Sequence, residues 1–190
     1  MVRVVIAEDE ALIRLDLKET LEEEGYEVVG ETGRGDEAVA LVRDLQPDLA
    51  ILDIKMPGLD GIAAAREIAG NRLAAVLILT AFSQRDLVEQ ATDAGALNYL
   101  VKPFQKSQLI PAIEVAVGRF AEVRALEQEA HGLREQLATR RLVDRAKGLL
   151  MDRHEMTESA AFSFIQQTAM RQRAKMRTVA EQVIEGRLAP

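Results

Sequence analysis

Apolar residues in the first part of the chain come in short, evenly spaced runs: VRVVIA (2–7), YEVVG (26–30), DLAILD (48–53), AAVLILT (74–80) and LNYLV (97–101). Each run is too short for a stable helix and rich in Val, Ile and Leu, which predicts strands covered on both faces. The segments between them step differently. Ile13, Leu17 and Leu21 recur every four residues, the spacing of one helix face. Strand and helix alternating five times predict an α/β domain over residues 1–120, built on a five-stranded parallel, doubly wound sheet. Gly25, Gly95 and the PGLDG stretch (57–61) mark the turns.

The pattern then changes. From residue 107, SQLIPAIEVAVGRFAEVRALEQEAHGLREQLATRRL has few helix breakers once Pro111 is placed in a first turn, where its missing N–H costs nothing. Ile113, Val117, Phe120, Val123, Leu126, Ala130, Leu133 and Leu137 form a heptad-like stripe with one extra three-residue step. Positions up to Phe120 are expected to cover the sheet. Residues 121–139 read as a helical, coiled-coil linker, whose later apolar positions serve either a homodimer or contact with the C-terminal domain. Gly118 and Gly132 weaken this helix, by roughly 1 kcal/mol each relative to alanine.

Residues 140–190 read as a small three-helix, all-α domain, with helices at about 142–153, 157–170 and 178–187. Thr157 is the expected cap of the second helix, and Thr178 with Glu181 has the form of a capping box opening the third. Packing together is expected to bury Leu142, Leu149, Leu150, Phe162, Ile165, Met170, Val179, Val183 and Ile184.

Charge separates the two regions. The formal net charge is −7, yet residues 1–120 hold 21 acidic and 12 basic side chains, whereas residues 121–190 hold 10 and 12. Between Arg140 and Arg177 nine basic residues face four acids, the balance of a surface that meets a polyanion or of an ordinary solvated face. The absence of cysteine excludes disulfides and thiolate metal sites. Carboxylates appear within the first ten residues and no run nears the roughly 18 apolar residues of a membrane span, so a cytoplasmic protein without membrane attachment is expected.

In a doubly wound sheet, ligand chemistry gathers at the carboxyl ends of the strands. There the sequence places Glu8, Asp9 and Glu10 after the first strand, Asp53 ending the third, Thr80 ending the fourth and Lys102 after the fifth. Clustered carboxylates repel one another unless a hard cation joins them, and an all-oxygen donor set suits Mg²⁺. A lysine and a hydroxyl opposite would hold the oxygens of a phosphoryl group.

Glu8-Asp9, Asp53 followed by IKMPGLDG, Thr80-Ala81 and Lys102-Pro103-Phe104 resemble the motif set of two-component response-regulator receiver domains, whose fold is flavodoxin-like. The resemblance implies that Asp53 accepts the phosphoryl group from a sensor histidine kinase. It implies Mg²⁺ held by Glu8, Asp9, Asp53 and the backbone carbonyl of Lys55, with Lys102 on the phosphoryl oxygens and Thr80 and Tyr99 as the switch pair. No separate enzymatic activity is expected, since His131 and His154 stand isolated.

RRLVDRAKGLLM (140–151), MTESAAFSFIQQTAM and RTVAEQVI resemble in turn the ANTAR domain, the RNA-binding output module of response-regulator antiterminators. The combined order is similar to that of the actinobacterial PdtaR type. This implies binding to RNA stem-loops and control of transcription termination, with Arg140, Arg141, Arg145, Lys147, Arg173, Lys175 and Arg177 as the cationic candidates. Two other outputs compete: a DNA-binding tail, which here lacks a clear helix-turn-helix, and a bundle that contacts only proteins. Ala146 and Gly148 offer close approach either to RNA or to a neighbouring helix. Phe162 and Phe164 could stack bases, although the spacing of Phe162 favours the core.

Overall fold

The computed structural model describes residues 1–81 and 85–190, and divides into two compact units, Met1–Arg124 and Ala125–Pro190. In the first, strands β1 (Arg3–Ala7), β2 (Glu27–Thr32), β3 (Leu49–Asp53), β4 (Ala75–Thr80) and β5 (Asn98–Val101) form one parallel sheet in the order β2-β1-β3-β4-β5. Helices α1 (Ala11–Glu23), α2 (Gly35–Leu45), α3 (Gly61–Gly70) and α4 (Arg85–Asp93) connect them, and α5 (Lys106–His154) comes after β5.

Period-two alternation divides the strand residues between two cores. Val5, Ala7, Ala50, Leu52, Val76 and Ile78 pack under α2, α3 and α4. Val4, Ile6, Leu49, Ile51, Leu77 and Leu79 pack under α1 and the first turns of α5, where Leu109, Ala112, Ile113 and Ala116 are buried. Both faces of the central strands are therefore dry, which is why these strands read as unbroken apolar runs. Val117 and Phe120 are partly buried against the same core, as their place in the stripe predicts.

Helix α5 is one element of 49 residues, with Pro111 in its second turn rather than its first. Beyond Phe120 the stripe opens: Leu126, Leu133 and Leu137 are each more than half exposed. In the second unit the end of α5, α6 (Glu158–Gln172) and α7 (Met176–Ile184) enclose a small core of Val143, Ala146, Leu150, Ala161, Ile165, Ala169, Val179, Ala180 and Val183. Thr157 caps α6 by accepting from the Ala160 N–H at 3.2 Å.

Three expectations change here. Thr178 does not open α7, which begins at Met176 with Lys175 at the cap; Thr178 lies inside the first turn, and Glu181 pairs with Arg177 at 3.0 Å. Phe162 and Met170 lie on the outer side of α6, 39% and 70% exposed, while Phe164 packs partly against the core. Ala161, Ile165 and Ala169 take the inner positions of α6 instead. Ala146 is wholly buried, so of the two small residues in RRLVDRAKGLLM it is the packing one.

Candidate functional site

The order β2-β1-β3 reverses the direction of winding between β1 and β3, and at such a switch point the flanking loops part to leave a crevice. Register then aligns the chemistry. Ala7 pairs with Leu52, so Glu8 and Asp53 leave adjacent strands at one level; Thr80 pairs with Val101, which sets Lys102 at the same rim. Glu8 is held there by its backbone N–H, which donates to Thr32 O at 3.0 Å, and by Arg14, which donates to its carbonyl.

Lys102 draws the rim together. Its Nζ donates to Glu8 Oε2 at 2.5 Å and lies 3.0 Å from Asp53 Oδ1. Glu8 is fully buried, Asp53 and Thr80 nearly so, while Asp9 is exposed at the mouth. Burial, above all, raises the Glu8 carboxyl above its ordinary range; the hydrogen bond from Lys102 opposes this, and the charge of Asp53 adds to it. For Lys102 burial acts to lower the pKa, but its hydrogen bonds to Glu8 and Asp53 outweigh that and raise it, so the ammonium stays charged.

Ligand oxygens of Glu8, Asp9 and Asp53 lie within 4.8 Å of one another. Three carboxylates facing one ammonium, with only oxygen donors, fit a hard divalent cation. A cavity of about 240 Å³ lined by Asp9, Asp53, Lys55, Thr80 and Lys102 gives room for a phosphoryl group. Tyr99, on edge strand β5, is 42% exposed.

Gly61 is a part of the site that the sequence marked only as a turn. Its N–H donates to Ile54 O at 2.8 Å, and a Cβ there would lie 1.9 Å from the backbone oxygen of Asp53. The loop after β3 thus folds back onto the end of its own strand and fixes where Asp53 stands.

The basic residues of the second unit fall into two groups. Arg140 lies 3.9 Å from Asp144, and Arg177 pairs with Glu181. Lys147 is bound to Asp144 at 2.9 Å and to Glu158 at 2.8 Å, with its side chain only 16% exposed. Those bonds, from Glu158 first, raise its pKa. It clasps α5 to the first turn of α6, a role its sequence neighbours could not reveal because Glu158 lies on the next helix. Arg141, Arg145, Arg173 and Lys175 are exposed and, among the described residues, make no ion pair within 4 Å. Phe162 and Met176 line a groove of about 690 Å³ beside Arg140 and Lys147.

Residues 4–114 match the response regulator receiver domain and residues 131–184 the ANTAR domain. The transcriptional regulatory protein PdtaR of Mycobacterium tuberculosis (strain H37Rv) is 63% identical over 183 residues, 96% of this chain and 89% of that one. Chemotaxis protein CheY of Thermotoga maritima is 40% identical over 58% of this chain and 93% of its own.

Among solved structures, the receiver domain of NarL from Mycobacterium tuberculosis aligns with TM-score 0.59 and 32% identity, covering 62% of this chain and 96% of that one. The receiver domain of sensor histidine kinase PA1611 from Pseudomonas aeruginosa PAO1, solved with magnesium coordinated in its active-site cleft, aligns with TM-score 0.56 and 28% identity. It covers 62% of this chain and 98% of that one. No described helix is long and apolar enough to cross a membrane. With a receiver domain, an ANTAR domain and similarity to PdtaR along nearly its whole length, the chain belongs to the response regulators with ANTAR output.

Proposed function

We propose that this response regulator takes a phosphoryl group from a sensor histidine kinase onto Asp53 and, in response, binds RNA stem-loops through its C-terminal helices to control transcription termination in the cytoplasm. The observation that carries the first half is Lys102 poised between Glu8 and Asp53 beside a cavity that Asp9, Asp53 and Thr80 help to line. An Asp53 carboxylate oxygen bonds to phosphorus as the bond from phosphorus to the kinase histidine nitrogen breaks, and that nitrogen departs with the electron pair. Lys102 holds the incoming phosphoryl oxygens. Thr80 donates its hydroxyl to one of them, and Tyr99 turns inward with it.

Glu8, Asp9, Asp53 and the Lys55 carbonyl are the groups that would hold Mg²⁺, which when bound neutralises charge on the phosphoryl oxygens. The chain has no other catalytic role than its own phosphorylation and dephosphorylation.

For the output, the cationic set is Arg140, Arg141, Arg145, Arg173, Lys175 and Arg177, with Lys147 shaping the surface from beneath. The exposure of Phe162 supports a role in stacking an unpaired base, the contact that single-stranded loops favour. Phosphorylated protein is expected to retard RNA hairpins more strongly than duplex DNA of equal length, and to lose affinity as salt rises. Equal or stronger retardation of the duplex would shift the assignment to a DNA-binding output.

The exposed Leu126, Leu133 and Leu137 support a homodimer through the linker stretch of α5. Leu133→Glu combined with Leu137→Glu is expected to convert a dimer to monomer in sedimentation. A dimer that persists in this variant assigns the interface elsewhere.

A further inference from the structure

Gly148 lies in the interior of α5, where glycine is less favourable than alanine because it loses more backbone freedom on folding. Packing does not explain it: a Cβ at this position would meet no atom within 4 Å. Nor does a turn, since the helix runs on to His154.

Its position on the helix is informative. Arg141, Arg145 and Gly148 are spaced at steps of four and three, which places them on one face. Both arginines are exposed and, among the described residues, without an ion-pair partner, whereas Arg140 and Lys147 on neighbouring faces are paired with acids. The exposed Asp152, one step further along, ends the cationic stretch.

We propose that Gly148 is a contact notch for the RNA sugar-phosphate backbone, which lies against the bare helix while Arg141 and Arg145 bind the flanking phosphates. The notch rests on the proposal that this chain binds RNA. Within a helix the Gly148 N–H is already committed to its own turn, so the missing Cβ supplies proximity rather than a donor. A ribose or phosphate can lie against the Cα, in van der Waals and weak C–H···O contact, where any side chain would hold it off. The notch and the arginines then do different things: the arginines attract, and the glycine sets how near the strand comes.

The experiment uses the full-length protein with phosphodonor and Mg²⁺, and a library of short RNA hairpins with randomised loops as probe. Gly148→Ala is expected to bind hairpins selected by the unsubstituted protein about tenfold more weakly. It should melt at the same temperature or a few degrees higher, and keep the salt slope of binding unchanged because no charge is lost. Arg141→Ala and Arg145→Ala are expected to weaken binding and lower that slope by about one each. Gly118→Ala, an equally open helix glycine in the first unit, should leave RNA affinity alone.

Unchanged affinity in a well-folded Gly148→Ala protein overturns the notch while leaving RNA binding intact. So does a defect confined to self-association, which would assign the bare face to a protein contact. If the unsubstituted protein retains no hairpin, the RNA reading falls and the notch with it.

Discussion

Asp53→Asn protein, incubated with a small phosphodonor and Mg²⁺, is expected to carry no acyl phosphate, whereas the unsubstituted chain becomes labelled in a form that hydroxylamine releases. The amide keeps the shape of the side chain and removes its nucleophilic oxygen. Folding should survive, because Lys102 retains Glu8 as a partner and is not left as an uncompensated buried charge. The Glu8 carboxyl is raised first by burial and also by the charge of Asp53, so loss of that charge relieves repulsion at the rim. Equal or greater thermal stability together with zero label is the expected pair of results. Label that persists on the variant would move the acceptor to another residue.

Gly61→Ala is expected to damage the same site without touching its chemistry. The new Cβ would stand 1.9 Å from Asp53 O and 2.8 Å from its carbonyl carbon, with Ile54 Cα at 3.0 Å. These are backbone atoms, which cannot swing aside as a side-chain tip can. Relieving the clash means moving either the end of β3 or the start of α3, and strain of this kind costs about 1–3 kcal/mol. For the receiver unit that corresponds to a melting temperature lower by roughly 3–10 °C. Labelling of Asp53 should slow as well, since the displaced strand end carries the acceptor. Gly70→Ala provides the contrast: its Cβ would meet nothing within 4 Å, and no loss of stability or labelling is expected. Equal behaviour of the two variants would show that the loop tolerates the shift and that Gly61 has no positioning role.

The amino-acid order by itself determined the α/β class, the number of strands and the residues at their carboxyl ends, because strands buried on both faces must read as short, continuous apolar runs. Glu8, Asp53, Thr80 and Lys102 stand just where those runs stop, so the candidate site is legible in the order of residues alone. It also carried the charge contrast between the two regions and the cap at Thr157.

The tertiary structure decided what depends on neighbours distant in sequence. Lys102 bridges to Glu8 across 94 positions, a distance along the chain over which periodicity carries no signal. Lys147, in a basic run, is tied down by Glu158 on the next helix. Phe162, which its spacing assigned to the core, stands 39% exposed, while Phe164, two positions on, packs partly against that core. Gly61 and Gly148 look alike in sequence, two glycines without side chains to read. One abuts the backbone of the phosphoacceptor strand and the other faces open space. What a missing Cβ is for is set by the atoms opposite it, and those come from folding.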